Sequence, residues 1–139
     1  MKFSFELKTT ATPEHLWNYY ADVNQWFAWE DDLENISLAG AFVTGTTGEM
    51  TLAGQPPMTF LLTSVIPNQE FSDKTSIPGL GDLFFYHELF QTEAKTIIKH
   101  SVEFIPFNRE VAAKDLAFIA QVFADVPASV FKLAELANG

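Results

Sequence analysis

Two histidines stand on neighbouring alternating stretches, and their spacing puts both on one face. From Thr96 to Phe104, every second residue beginning with Thr96 avoids acids and lysine, while Lys95, Lys99 and Glu103 take the opposite parity. Side chains along a strand alternate between its faces, so Thr96, Ile98, His100, Val102 and Phe104 are expected to point inward. In the preceding stretch Glu88 marks the outward parity and leaves Leu83, Phe85, His87 and Leu89 inward. A tight turn centred on Glu93-Ala94 pairs Thr92 with Lys95, and counting back pairs Leu89 with Ile98 and His87 with His100. Directly opposed residues have Cβ atoms about 4.5–5.5 Å apart, close enough for two rings to share a water, a ligand or a proton.

Such a pair has two uses. A neutral imidazole can take a proton from an enolisable or phenolic group while its neighbour donates one, which is acid–base catalysis. The same rings can instead be polar lining of a pocket, bonded to each other or to water, and this reading leads. Burial and mutual repulsion are expected to keep both neutral at pH 7. A metal centre is not expected, because two histidines need a third ligand and neither strand offers an inward carboxylate. Trp17, Trp26 and Trp29 with Tyr19, Tyr20 and Phe27 concentrate aromatic surface early in the chain. They are expected to plug the open end of a sheet, with rings at a pocket mouth able to grip a flat or lipophilic ligand. His15 beside Glu14 and the run Glu30-Asp31-Asp32 read as solvated. Gly79-Leu80-Gly81 lacks the spacing of a dinucleotide loop, and no Gly-x-Ser-x-Gly elbow is present.

The elements that must position these groups follow from periodicity. Residues 2–8 alternate, with Phe3, Phe5 and Leu7 on one face. Thr12-Pro13-Glu14 is a helix start, with Thr as cap and Pro at the first helical position, and Asp22 can cap a second short helix from Val23 to Trp29. Strands are predicted near 33–39, 45–53, 58–66, 70–77, 82–91 and 95–105, separated by Gly, Pro and Asn turns in the manner of an antiparallel meander. From Val111 to Ala137, Leu116, Ile119, Val122, Phe123, Val126, Val130 and Leu133 recur at helical spacing; Pro127 should kink this long helix and Asn138-Gly139 should close it. A single sheet with one buried face needs a partner, and this helix is the long amphipathic element available. One α+β domain over residues 1–139 is expected, with unfilled volume where one helix crosses a curved sheet.

Composition narrows the function. The 139 residues carry 8 Lys+Arg against 18 Asp+Glu, a net charge of −10, with no basic patch, so nucleic acid is not an expected partner. The absence of cysteine removes disulfides, thiolate metal sites and cysteine nucleophiles. The first residues alternate where a signal peptide would need an apolar run, and no stretch is expected to approach the roughly 18 apolar residues of a membrane span. A soluble cytoplasmic domain without membrane insertion is the expectation. Fourteen Phe exceed what a small core requires, and the surplus can line a cavity.

The order strand, two short helices, meander, long helix, with Thr12-Pro13-Glu14, Trp17, Asp22-Val23, Trp26 and Trp29 early in the chain, resembles the helix-grip (START-like, SRPBCC) superfamily. That group includes START lipid-transfer domains, birch-pollen-allergen-like carriers and polyketide cyclase/dehydrase-like proteins. Gly45-Thr46 with Gly48, Phe85 to Leu89 and Thr96 to Glu103 fit the same resemblance, and Asp125-Val126-Pro127-Ala128-Ser129 with Leu133-Ala134 is similar to the final helix of its small bacterial cyclase-like members. The chain departs from many relatives in having Ile105-Pro106 where Gly-Pro is common, and Ala94-Lys95 before Thr96 where Gly is common. The resemblance implies a seven-stranded curved sheet around the C-terminal helix and a hydrophobic small-molecule ligand such as a lipid, polyketide or aromatic metabolite. It brings no shared catalytic motif and no cofactor. Phe85, His87, Leu89, Ile98, His100, Val102, Trp26 and Phe123 are the expected ligand-binding residues, and His87 and His100 the candidate acid–base groups of a cyclase or dehydratase.

Overall fold

The computed structural model describes residues 1–138. Seven strands, β1 (Lys2–Thr9), β2 (Leu33–Leu38), β3 (Thr47–Leu52), β4 (Met58–Ile66), β5 (Glu70–Ile77), β6 (Gly81–Gln91) and β7 (Thr96–Pro106), form one antiparallel sheet in the order β1-β7-β6-β5-β4-β3-β2. The meander therefore runs strand to adjacent strand, and only β1 finds a partner remote in sequence. The strand boundaries fall within two residues of those read from periodicity.

Local chemistry accounts for the helices. In α1 (Pro13–Ala21) the Thr12 hydroxyl accepts the His15 N–H at 3.2 Å, Pro13 sits where no intrahelical donor is needed, and Leu16, Trp17 and Tyr20 form the buried stripe. Asp22 caps a 3-10 turn, Val23–Ala28, through the Asn24 N–H. The indoles of Trp26 and Trp29 donate to the carbonyls of Tyr20 (2.9 Å) and Tyr19 (3.1 Å), so their polar edges close the end of α1 while their rings stay in the core. Gly48 permits the close passage of β3 over Phe60, because a Cβ there would collide with the Phe60 ring and lie 2.7 Å from the Ser37 carbonyl.

The long C-terminal helix is present and is interrupted just ahead of Pro127, as the kink read there implies; it begins at Ala113, a correction to the start read at Val111. A short 3-10 turn at Ala113–Asp115 leads into α2 (Leu116–Phe123), and the chain breaks at Ala124-Asp125 before α3 (Val126–Asn138). Pro127 has no N–H to give the Phe123 carbonyl, and its ring would crowd that carbonyl, so the helix resumes instead of running through. Asn138 ends α3; Gly139 lies outside the described residues. Ahead of α2, Arg109 grips both carboxylate oxygens of Asp115 at 2.7 and 2.9 Å while the Ala112 N–H donates to the same carboxylate. These bonds hold the Asp115 carboxyl down to about 2.

A second correction concerns hydropathy. Ala113–Asn138 is long enough, and at a mean hydropathy of 1.5 apolar enough, to cross a membrane by composition, although no uninterrupted apolar run announces it. Here it lies across the sheet and buries Ile119, Val130, Leu133, Ala134 and Ala137. The core beneath it falls into two clusters. One joins α1, the 3-10 turn and α3 to Phe60, Leu62, Phe71, Leu89 and Ile98; the other gathers Leu83, Val102, Phe104 and Ile119 under α2. The break between α2 and α3 stands where these two clusters part.

Candidate functional site

Between the clusters lies a cavity of about 450 Å³. Its sheet wall includes Leu52, Met58, Leu83, Phe85 and Val102, its helical wall Phe118, Val122 and Val126, and its polar surface comes from His87 and His100, from Thr75, and from Glu30, Asp32, Asp125 and Ser129. Of the residues read from sequence as ligand-binding, Phe85, His87, His100 and Val102 reach this wall. The others pack elsewhere. Leu89 and Ile98 belong to the core under α1 and α3, Trp26 stacks on Phe71 with ring centroids 5.3 Å apart, and Phe123 meets Phe3 edge-on at 5.8 Å. Parity gave the face of Leu89 and Ile98 correctly but not their distance along the strand from the gap.

The register is the one counted from the turn. The Thr92 N–H donates to the Lys95 carbonyl at 2.8 Å, Leu89 faces Ile98 and His87 faces His100. The two imidazoles are 4.6 Å apart between centroids, inclined at 75°, and only 9% and 4% exposed. His87 lies flat on Phe71 at 3.9 Å, and its Nδ1–H donates to the Phe71 carbonyl at 3.2 Å. Tyr20 Oη is 2.6 Å from His100 Nε2. The phenol is the stronger acid of these two neutral groups and is the donor, which leaves the His100 proton on Nδ1. The free nitrogens of the pair are thus an acceptor, His87 Nε2, and a donor, His100 Nδ1.

Burial sets the charge state. Desolvation lowers His87 to about 3 against the opposing pull of the Phe71 carbonyl, and it lowers His100 strongly with further repulsion from His87. Tyr20 is raised by burial and keeps its proton. Both imidazoles are neutral across the physiological range.

The carboxylates were missed from sequence. Glu30 does not sit in a solvated turn but on the cavity wall, and burial raises it to about 8, with repulsion from Asp32, Asp73 and Asp125 adding to the shift and a Ser129 hydrogen bond opposing it. Asp73, on β5 across from Phe85, is 4% exposed and raised by burial to about 8. Asp73 shares its parity with buried Phe71, whereas Glu70 and Lys74 take the other, so alternation did contain this signal. Nothing in the order of residues distinguishes Glu30 from Asp31, which points outward to pair with Lys132. Thr75, also inward on β5 and 2% exposed, has a hydroxyl with no partner.

No family model and no curated protein matches this chain. Solved structures do match its shape. Ara h 8.0201 superimposes with a TM-score of 0.75 at 12% identity, covering 100% of this chain and 99% of its own. A protein from Mesorhizobium loti, MLL2253, gives 0.78 at 13% identity over 99% and 97% of the two chains. The fold is the helix-grip fold. A point mutant of norcoclaurine synthase from Thalictrum flavum, in complex with a transition-state analogue, matches with 0.70 at 14% identity over 99% and 93%. At these identities the likeness is one of helix-grip architecture, and the chemistry of this cavity rests on its own residues.

Proposed function

We propose that this helix-grip chain reversibly binds an apolar small molecule, such as a lipid, polyketide or aromatic metabolite, in the cavity between the sheet and α2–α3. The observation that carries the reading is a cavity of about 450 Å³ whose apolar walls end on two neutral, oriented imidazoles. That volume lies in the ordinary range for small-molecule pockets, about 300–1,000 Å³. Phe85 and Val102 supply apolar contact, while the acceptor on His87 and the donor on His100 fix a carbonyl or hydroxyl. The norcoclaurine synthase match, solved with a transition-state analogue, supports a small-molecule role for this architecture.

A second reading is an enzyme of the cyclase or dehydratase kind, with the same histidines moving a proton. The pair's geometry favours it, but its basicity does not. A base whose conjugate acid has a pKa of about 3 takes protons poorly at pH 7, where efficient general bases lie near the working pH. Binding without turnover is therefore preferred.

Nile red, a neutral apolar dye, tests the reading. Its fluorescence should rise on titration, and the melting temperature should climb with dye concentration, since a ligand at 100 times its Kd adds about 2.7 kcal/mol to the folded state. His87→Ala and His100→Ala should weaken a carbonyl-bearing probe more than a hydrocarbon one. A dye that neither fluoresces nor shifts the melting curve at saturation would remove the carrier reading, and turnover of a bound compound would promote the enzyme.

A further inference from the structure

The polar side of the cavity is one-sided in charge. Glu30, Asp32 and Asp125 lie on its wall, Asp73 is near enough to Glu30 to repel it, and no Lys or Arg joins them. Lys132 on α3 is occupied outside by Asp31. The acidic run continues outward, since Asp31, Asp32, Asp125 and Ser129 also line a shallow groove that opens beside the cavity. A net charge of −10 adds a long-range field of the same sign. Deeper in, the unpartnered Thr75 hydroxyl is an orphaned polar group on the wall of a cavity with room for a ligand. An orphaned buried hydroxyl is uncommon in a native interior and marks a place where something else supplies the bond.

We propose that the molecule taken by this cavity is an organic amine, its cationic nitrogen held at Glu30 between Asp32 and Asp125 and its apolar body between Phe85, Val102 and Phe118. This deepens the binding reading and rests on it. Without a cation, burial holds Glu30 and Asp73 protonated to about pH 8, and at Glu30 repulsion from Asp32, Asp73 and Asp125 adds to it. A protonated amine reverses that preference. Glu30 then gives its proton to water and pairs with the ammonium, while the amine keeps its own proton, so one proton is released for each ion pair formed. The groups facing Glu30 are Asp32 from its own turn, Asp73 from β5, Asp125 from the α2–α3 break and the Ser129 hydroxyl from α3. The neutral His87 and His100 complete the polar wall without adding positive charge.

Three probes of equal length separate the outcomes: 4-phenylbutylamine, 4-phenylbutanol and 4-phenylbutyrate, titrated calorimetrically into the full chain from pH 6.0 to 8.0. The amine should bind tightest and the carboxylate weakest. Affinity for the amine should rise about tenfold per pH unit below pH 8, as linkage to one released proton requires, while the alcohol's stays flat. Glu30→Gln, which keeps the shape of the side chain, should weaken the amine at least about tenfold and leave the alcohol within about twofold; Asp125→Asn should do the same more weakly. If the alcohol binds as tightly as the amine at pH 8.0, or if Glu30→Gln leaves the amine untouched, the inference fails and the cavity remains a carrier of neutral molecules. If none of the three binds, and Nile red does not either, the binding reading itself fails and this inference with it.

Discussion

Tyr20 turns two buried histidines into an ordered pair. Its hydroxyl fixes which nitrogen of His100 carries the proton, and its ring sits 5.8 Å from both imidazole centroids. Tyr20→Phe keeps the ring and removes the donor, leaving His100 Nε2 buried without a partner. The expected cost is about 1–3 kcal/mol in urea unfolding, the penalty of one orphaned buried group. Nitrogen chemical shifts of His100 should at the same time lose their preference for a single tautomer; an unchanged unfolding midpoint and tautomer would count against the bond. The partnership of His87 and His100 could be read from sequence because both lie on one hairpin, where a turn and a count of two fix the register. Tyr20 could not, since it reaches His100 across 80 positions of chain and helix orientation decides the meeting. Asp73 falls between, its parity visible but its burial contrary to what a carboxylate ordinarily does.

At the scale of elements, the break between α2 and α3 shapes the cavity. Val122, Asp125, Val126 and Ser129 on either side of it all reach the cavity wall. Pro127→Ala restores an N–H that can bond the Phe123 carbonyl, so the helix can run through and carry Asp125 away from Glu30. Helical ellipticity at 222 nm should increase, the fold should be as stable or slightly more so, and Nile red should bind more weakly. Unchanged ellipticity and dye affinity would show that the break does not depend on Pro127. The kink was readable from that proline alone, but its place at Ala124-Asp125 was not, because the apolar spacing continues across it. The same blindness applied to hydropathy, where Gln121, Asp125 and Lys132 interrupt the apolar run without lowering its average enough to exclude a membrane span.

Over the whole molecule, the buried Asp73, His87 and His100 and the half-buried Glu30 set how stability responds to pH. Glu30 and Asp73, raised to about 8, keep protons in the folded state that the unfolded chain has released above about pH 4, so their contribution is full below that value and is lost as pH rises through 8. His87 and His100, lowered by burial, act oppositely: their contribution is full above about pH 6.5 and is lost as pH falls. The two effects oppose each other from about pH 4 to 6.5, and above that only the carboxyl slope remains. The melting temperature should therefore fall between pH 6.5 and 8, with Asp73 alone contributing about 2 kcal/mol of the loss. Asp73→Asn should flatten that limb; a wild-type melting temperature that rises over this interval would contradict the buried-carboxyl account. The meander was legible because six of its strands follow one another through short turns, whereas the pairing of β1 with β7 was not, because no local turn joins them. That single remote pairing gives the chain a folding schedule. The Ser4 hydroxyl meets Ser101 across 97 positions, whereas β2 to β7 can zip hairpin by hairpin. Loop closure of that length weighs on one strand only, and non-local pairings are the slow ones. Of the seven strands β1 is made first, yet its partner β7 is made last, and Phe3 and Phe5 wait further, for Phe123 and Phe131 of the C-terminal helix.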